Sequence, residues 1–101
     1  MKIRILTVAL NDLEAGRSFY ERQEEGLGDY FLDSLFSDID SLLLHAGIHR
    51  RMLGYHRLLS QRFPYAVYYK VNAPVVEIWR VLDCRHDPLR IRRSLRQRVS
   101  P

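Results

Sequence analysis

The stretch Gly54–Pro88, GYHRLLSQRFPYAVYYKVNAPVVEIWRVLDCRHDP, reads as three successive β-strands closed by a short charged loop. The first covers about Tyr55 to Ser60, and Arg62-Phe63-Pro64 turns the chain. The second, Tyr65 to Val71, is apolar on both faces apart from Lys70, which predicts a central position in a sheet. Asn72-Ala73 is read as a two-residue hairpin turn. Pro74 then opens the third strand, Val75 to Leu82, where its missing N–H does little harm. Glu77 and Arg80 break the alternation there, which predicts a bulge or a sheet edge.

Upstream of this stretch the pattern changes from strand to helix. Lys2 to Leu6 alternates as a short first strand. Thr7 is read as the N-cap of a helix running to about Glu25, with Ala9, Leu13, Gly16 and Tyr20 on one face. A mid-helix Gly costs about 1 kcal/mol relative to Ala, so Gly16 suggests close approach of a neighbouring element. Gly26-Leu27-Gly28 is a tight connection to a second helix, about Asp29 to Ala46, ended by Gly47. Phe31, Leu35, Ile39, Leu42, Leu43 and Ala46 form its apolar stripe. Ile48 to Leu53 is a basic connector. The order is β-α-α-β-β-β, an α+β fold in which a helical hairpin packs on a small, mostly antiparallel sheet with the first strand at an edge. Residues 1–88 are read as one domain, and 89–101 as a basic C-terminal tail or short helix.

The net charge of +4 conceals an asymmetry. Residues 1–46 carry four Lys/Arg against nine Asp/Glu, and residues 47–101 carry twelve against three. The second half is therefore suited to a polyanion or an acidic protein. The single cysteine, Cys84, excludes an internal disulfide and fits a reducing cytosol, so a cytoplasmic location is expected. One Cys and four scattered His supply no structural zinc site, and no cofactor is expected. Lys2 and Arg4 are followed by no apolar run of signal-peptide type, and no stretch approaches the ~20 apolar residues of a membrane span, so no membrane partner is expected.

Five segments together resemble the RelE/ParE superfamily of toxins from type II toxin–antitoxin modules. They are Ala9 with Asp12-Leu13; Phe19-Tyr20-Glu21; Gly26-Leu27-Gly28-Asp29-Tyr30-Phe31-Leu32; Arg62 through Tyr69, RFPYAVYY; and Val81 through Pro88, VLDCRHDP. The resemblance spans roughly Ile3 to Pro88. It implies the fold derived above and a growth-inhibiting protein, of the kind linked to plasmid stabilisation, silenced in a hetero-oligomer by a cognate antitoxin. RelE-type members cleave mRNA in the ribosomal A site; ParE-type members poison DNA gyrase without being enzymes.

RNA cleavage through a 2′-OH needs a proton acceptor, a proton donor and cations around the phosphate. The resemblance implies a cation in the Tyr65–Val71 strand at the position occupied here by Ala66. What remains for an RNase site is Arg57, Arg85 and His86, with His56 as a further titratable candidate. Each also has a plainer reading: Arg57 as a solvated strand residue, His86 with Asp87 as a surface pair, and Asp83 with Arg85 as a brace for the loop. Trp79 reads as core or interface, and Cys84 as a small buried hydrophobe. The missing cation favours the ParE-like branch, with gyrase as target. A ribosome-dependent mRNA interferase is the alternative, followed by an inactive toxin or a small basic nucleic-acid-binding protein. Arg57, Arg62 and Tyr65 are the residues expected to meet an acidic, amphipathic antitoxin segment. Arg85, Arg92 and Arg96 are those expected to meet the target.

Overall fold

The computed structural model describes residues 1–96, so the Arg98 and Val99 of the expected tail lie outside the described residues. The elements are β1 (Lys2–Ile5), α1 (Thr7–Glu21), α2 (Leu27–Asp40), α3 (Leu42–His45), β2 (Arg51–Met52), β3 (Tyr55–Leu59), β4 (Tyr65–Asn72), β5 (Val75–Asp83) and α4 (Pro88–Arg96). One five-stranded sheet has the order β1-β5-β4-β3-β2. All neighbours are antiparallel except β1, which runs parallel to β5 from Lys2↔Val75 to Ile5↔Ile78. The expected α+β fold, the helical hairpin, the central position of the Tyr65 strand (β4) and the edge position of the first strand are all present.

Helices cover both faces of this sheet. Alternate side chains of a strand point to opposite faces. Tyr65, Val67 and Tyr69 of β4 accordingly join Leu13 and Tyr20 of α1 and Phe31, Leu35 and Ile39 of α2 in the larger core cluster. Ala66 and Tyr68 face the other way and pack with Tyr55, Leu82 and, from α4, Ile91 and Leu95. Residues 89–96, left open by the sequence between helix and mobile tail, are thus helical and docked. Asp87 accepts from the Leu89 N–H at 2.9 Å and Pro88 takes the first helical position, a standard helix start. At the other end of α4, the Tyr55 hydroxyl donates to Leu95 O at 3.1 Å, and Arg80 reaches Ser94 O at 3.4 Å.

Several local readings are corrected. Thr7 is the first residue of α1, not its cap; Leu6 holds the cap position and makes no side-chain cap bond. Helix α1 ends at Glu21 rather than Glu25. There the Glu21 carboxylate turns back and accepts from the N–H groups of Gly26 and Gly28, at 3.0 and 2.9 Å, which holds its acid below the usual range. Helix α2 therefore starts at Leu27, two residues early, because these N-terminal amides have a partner. The expected single helix to Ala46 is interrupted at Ser41, whose hydroxyl donates to Asp38 O at 2.6 Å. The basic connector contains β2, joined to β3 through Leu53 (φ 54°) and Gly54 (φ 85°). Two central residues of positive φ match the twist of a tight hairpin. The β4–β5 turn is Ala73-Pro74, with a cis peptide bond, rather than Asn72-Ala73, since Asn72 still pairs with Val75. The irregularity foreseen in the last strand is real: Tyr68 pairs with Arg80 and Tyr69 with Ile78, leaving Trp79 as a bulge.

Gly16 is a point of close approach between the two long helices. A Cβ there would stand 2.5 Å from Phe31 Cζ. Phe31 is fully buried and locked against Tyr20, Phe63 and Tyr65, with ring centroids 4.9–5.2 Å apart. Gly16→Ala is therefore expected to destabilise by about 1–3 kcal/mol through overpacking, despite the better helix propensity of Ala. Urea unfolding of the single and double variants with Phe31→Leu checks this: the smaller ring-free side chain should recover part of the loss, and strictly additive effects would contradict the contact.

Candidate functional site

The α4 face of the sheet carries a basic cleft of about 460 Å³. It is lined by Arg50, Arg51 and Met52 of the connector, Arg57 of β3, Tyr68 of β4, Cys84 and His86 of the terminal loop, and Pro88, Ile91 and Arg92 from α4. Among the described residues no carboxylate lines it. Arg57 is fixed: its Nε donates to the Tyr68 hydroxyl at 3.1 Å, and Nη2 lies 3.5 Å from Cys84 Sγ. Burial pushes the Cys84 thiol up, against the opposing pull of Arg57, so the sulfur stays protonated and is no activated nucleophile.

The structure brings Arg57, His86 and Arg92 together in this cleft and leaves the other sequence candidates elsewhere. Arg85 points to the helical-hairpin side. Its Nη2 meets Asp83 Oδ2 at 2.7 Å and the Tyr20 hydroxyl at 3.4 Å, and its guanidinium lies over the Phe19 ring. Burial pushes the Asp83 carboxyl up, but the hydrogen bonds and charge of Arg85 outweigh it and hold it below its ordinary value. This is the loop brace that the sequence offered as the plainer reading. His56 donates through Nδ1–H to the His49 carbonyl at 2.8 Å and stacks on Tyr69, on the larger core. Tyr65 is 8% exposed, and burial together with the Asp83 charge pushes its phenol up to about 12. Arg62 is exposed and lies over the Tyr30 ring, so Arg57, Arg62 and Tyr65 do not share one surface. Arg96 is exposed at the end of α4 and does not line the cleft. Trp79 packs beside the smaller cluster, where Lys70 sits between its ring and that of Tyr55, 4.8 and 4.7 Å from the centroids.

Ala66, at the position where the resemblance calls for a cation, is fully buried beneath Ile91 and Leu95. A second cleft of about 370 Å³ opens on the edge of β5 between α1 and α4, with Asp12, Phe19, Arg22, Arg80, Asp83 and Arg90 on its walls. Arg50 and Arg51 were not singled out by sequence reasoning; their signal was the adjacent pair of arginines in a connector that the fold turns into a hairpin. Among the described residues no group of three or more His, Cys, Asp or Glu is placed to hold a metal ion, and no helix is long and apolar enough to cross a membrane.

No protein-family model matches the sequence, and no curated protein is significantly similar to it. Among solved structures, the chromosomal ParDE TA system from P. aeruginosa contains a chain that this one matches with a TM-score of 0.69 at 20% sequence identity. The match covers 80% of this chain and 92% of that one. At that identity the likeness is one of fold, and the fold is the one that the RelE/ParE resemblance implied.

Proposed function

We propose that this chain is the toxin of a type II toxin–antitoxin module, of the ParE-like kind, acting in the cytoplasm to inhibit growth by poisoning DNA gyrase and silenced by a cognate antitoxin. The shared fold with the ParDE TA chain supports the toxin class. The observation that carries the choice of branch is Ala66. It offers no charge, and the docking of α4 closes that part of the sheet to a phosphate. Loss of one such charge-assisted contact removes about 3–4 kcal/mol of transition-state stabilisation, a rate loss of 10²–10³. Arg85, engaged by Asp83, does not replace it.

The specific observation favouring the alternative, a ribosome-dependent mRNA interferase, is that Arg57 and His86 line one cleft. The two readings separate by experiment. Induced expression with and without the antitoxin gene, followed by gyrase supercoiling and primer-extension assays, should give antitoxin-reversible growth arrest, gyrase inhibition and intact mRNA. Codon-specific A-site cleavage abolished by His86→Ala would overturn the gyrase reading in favour of the interferase. The acidic antitoxin segment is expected to use the exposed Arg62 and the acid-poor half of the surface.

A further inference from the structure

We infer that His49, Tyr69 and His56 form an acid-sensitive latch: a neutral His49 pins residues 47–49 to the sheet, and its protonation lets that segment lift and loosens the adjoining Arg50–Arg51 wall of the basic cleft. The inference concerns the conformation of the chain alone and stands or falls apart from the function proposed above.

The segment joins α3 to β2 and has little hold of its own. Gly47 and Ile48 are exposed, and the Ile48 N–H reaches His45 O only at 3.4 Å. Its far boundary is firm, because the Arg57 N–H donates to Arg50 O at 2.8 Å. Between these points three bonds tie it to the sheet. The Gly47 N–H donates to the Tyr69 hydroxyl at 3.0 Å, and the same hydroxyl bonds His49 Nδ1. His56 Nδ1–H donates to the His49 carbonyl at 2.8 Å. Both imidazoles pack on the Tyr69 ring, His56 stacked at 5.1 Å and His49 edge-on at 5.6 Å. Tyr69 is fully buried in the larger core, so it is a fixed post to which a mobile-looking connector is tied.

The directions of these bonds make the latch depend on charge. Burial pushes the Tyr69 phenol up, against the pull of the Gly47 and His49 N–H groups, so it keeps its proton. The hydroxyl accepts from Gly47 and has one hydrogen to give, which goes to His49 Nδ1. That bond requires a neutral imidazole with its hydrogen on Nε2. A protonated His49 carries a hydrogen on both ring nitrogens. Two donors then face one hydroxyl, whose own hydrogen loses its acceptor. The His56 bond survives, since Nδ1 donates in either state of that ring. The surroundings also oppose the charge. Burial lowers the His49 imidazole, and the facing His56 of β3 and His45 of α3 lower it further, while β4 presents the neutral Tyr69. Arg50 and Arg51, next along the chain, turn their side chains to the basic cleft. Among the described residues no carboxylate lies within ion-pair distance of any of the three imidazoles. A lowered basic group binds its proton more readily in the open form. The latch is therefore closed above the ordinary imidazole value of about 6.5 and is lost as pH falls through the lower value of the closed form.

The test is amide hydrogen exchange of the purified full chain, followed by NMR from about pH 8 to about pH 5 and corrected for the intrinsic rate at each pH. Opening at the Gly47 and His49 amides should increase about threefold or more on acidification, since each unit by which the latch lowers the imidazole is worth about tenfold. The core amides of Val67 and Val76 should stay protected. His49→Asn places an acceptor oxygen where Nδ1 stood and does not titrate, so the segment should remain closed throughout. Tyr69→Phe should open it at every pH. His45→Asn changes an exposed side chain outside the latch and should leave the dependence in place, with its midpoint moved up. An unchanged dependence in His49→Asn would overturn the sensor. Protection in the wild type that ignores pH, or protection in Tyr69→Phe equal to wild type, would overturn the latch. Nitrogen NMR of the imidazoles decides the point without any substitution. His49 should carry its hydrogen on Nε2 at neutral pH and titrate below about 6.5; an Nδ1–H tautomer, or a midpoint above that value, overturns the inference.

Discussion

Asp12→Ala is expected to destabilise the fold by about 3–5 kcal/mol, the usual effect of stranding one member of a buried ion pair. Asp12 receives Arg80 Nε and Nη2 at 2.8 and 2.9 Å and the Val81 N–H at 3.0 Å. The two side chains are only 14% and 12% exposed. The alanine leaves a guanidinium without its counter-ion and a strand N–H without an acceptor. That N–H is unpaired within the sheet because β1 stops opposite Ile78, so the rest of the β5 edge has no neighbouring strand. Domains of this size are stable by about 5–15 kcal/mol, so the variant sits near its unfolding threshold. Urea denaturation measures it. Asp12→Asn, which keeps an acceptor for Val81, should fall between wild type and alanine; a loss below about 1 kcal/mol for Asp12→Ala would show that water replaces the pair.

Ile91→Ala with Leu95→Ala should cost about 4 kcal/mol together, the lower end for two buried aliphatic truncations. Ile91 and Leu95 are 7% and 4% exposed and are the two side chains by which α4 enters the smaller core. Without them Ala66, Tyr68 and Leu82 lose their cover, and limited proteolysis should cut within residues 88–96 before the rest of the chain. Protease resistance equal to wild type, with an unchanged denaturation midpoint, would show that α4 lies on the sheet without holding it.

These two contacts also mark where sequence reasoning reached its limit. The turn-bounded apolar runs of residues 55–82 and the apolar stripe of residues 31–46 are local signals; the first led to the three strands, and the second to a helix that the structure divides at Ser41. The Asp12–Arg80 pair spans 68 positions and leaves no periodic trace, so Arg80 registered only as a flaw in a strand. The flaw was still informative, because it marked the Trp79 bulge that re-aims Arg80 toward α1 and α4. The ends of α1 and α2 were misjudged because Glu21 caps a helix other than its own. At the site, the sequence supplied Arg57, His86 and Arg92 but could not show that Asp83 holds Arg85 away from them. Nor could it show that Tyr65 turns into the core while its neighbour Ala66 turns under α4. Face assignment on a strand apolar on both sides has no sequence signature.

The parallel pairing of β1 with β5 has a consequence for synthesis. Lys2–Ile5 is made long before its strand partner among the described residues, Val75–Ile78, which follows only after both helices of the hairpin and strands β2 to β4. The helical hairpin can form early, but its apolar face stays bare until β3, β4 and β5 have followed it out. Folding thus waits on a late, long-range closure, which is slow compared with the pairing of neighbouring segments. If the chain is the toxin proposed here, a truncated translation product ending before β5 lacks the terminal loop and α4 that complete the basic cleft. Harm to the producing cell would then begin only with a chain translated past that point, which leaves a folding antitoxin made in the same place time to meet it.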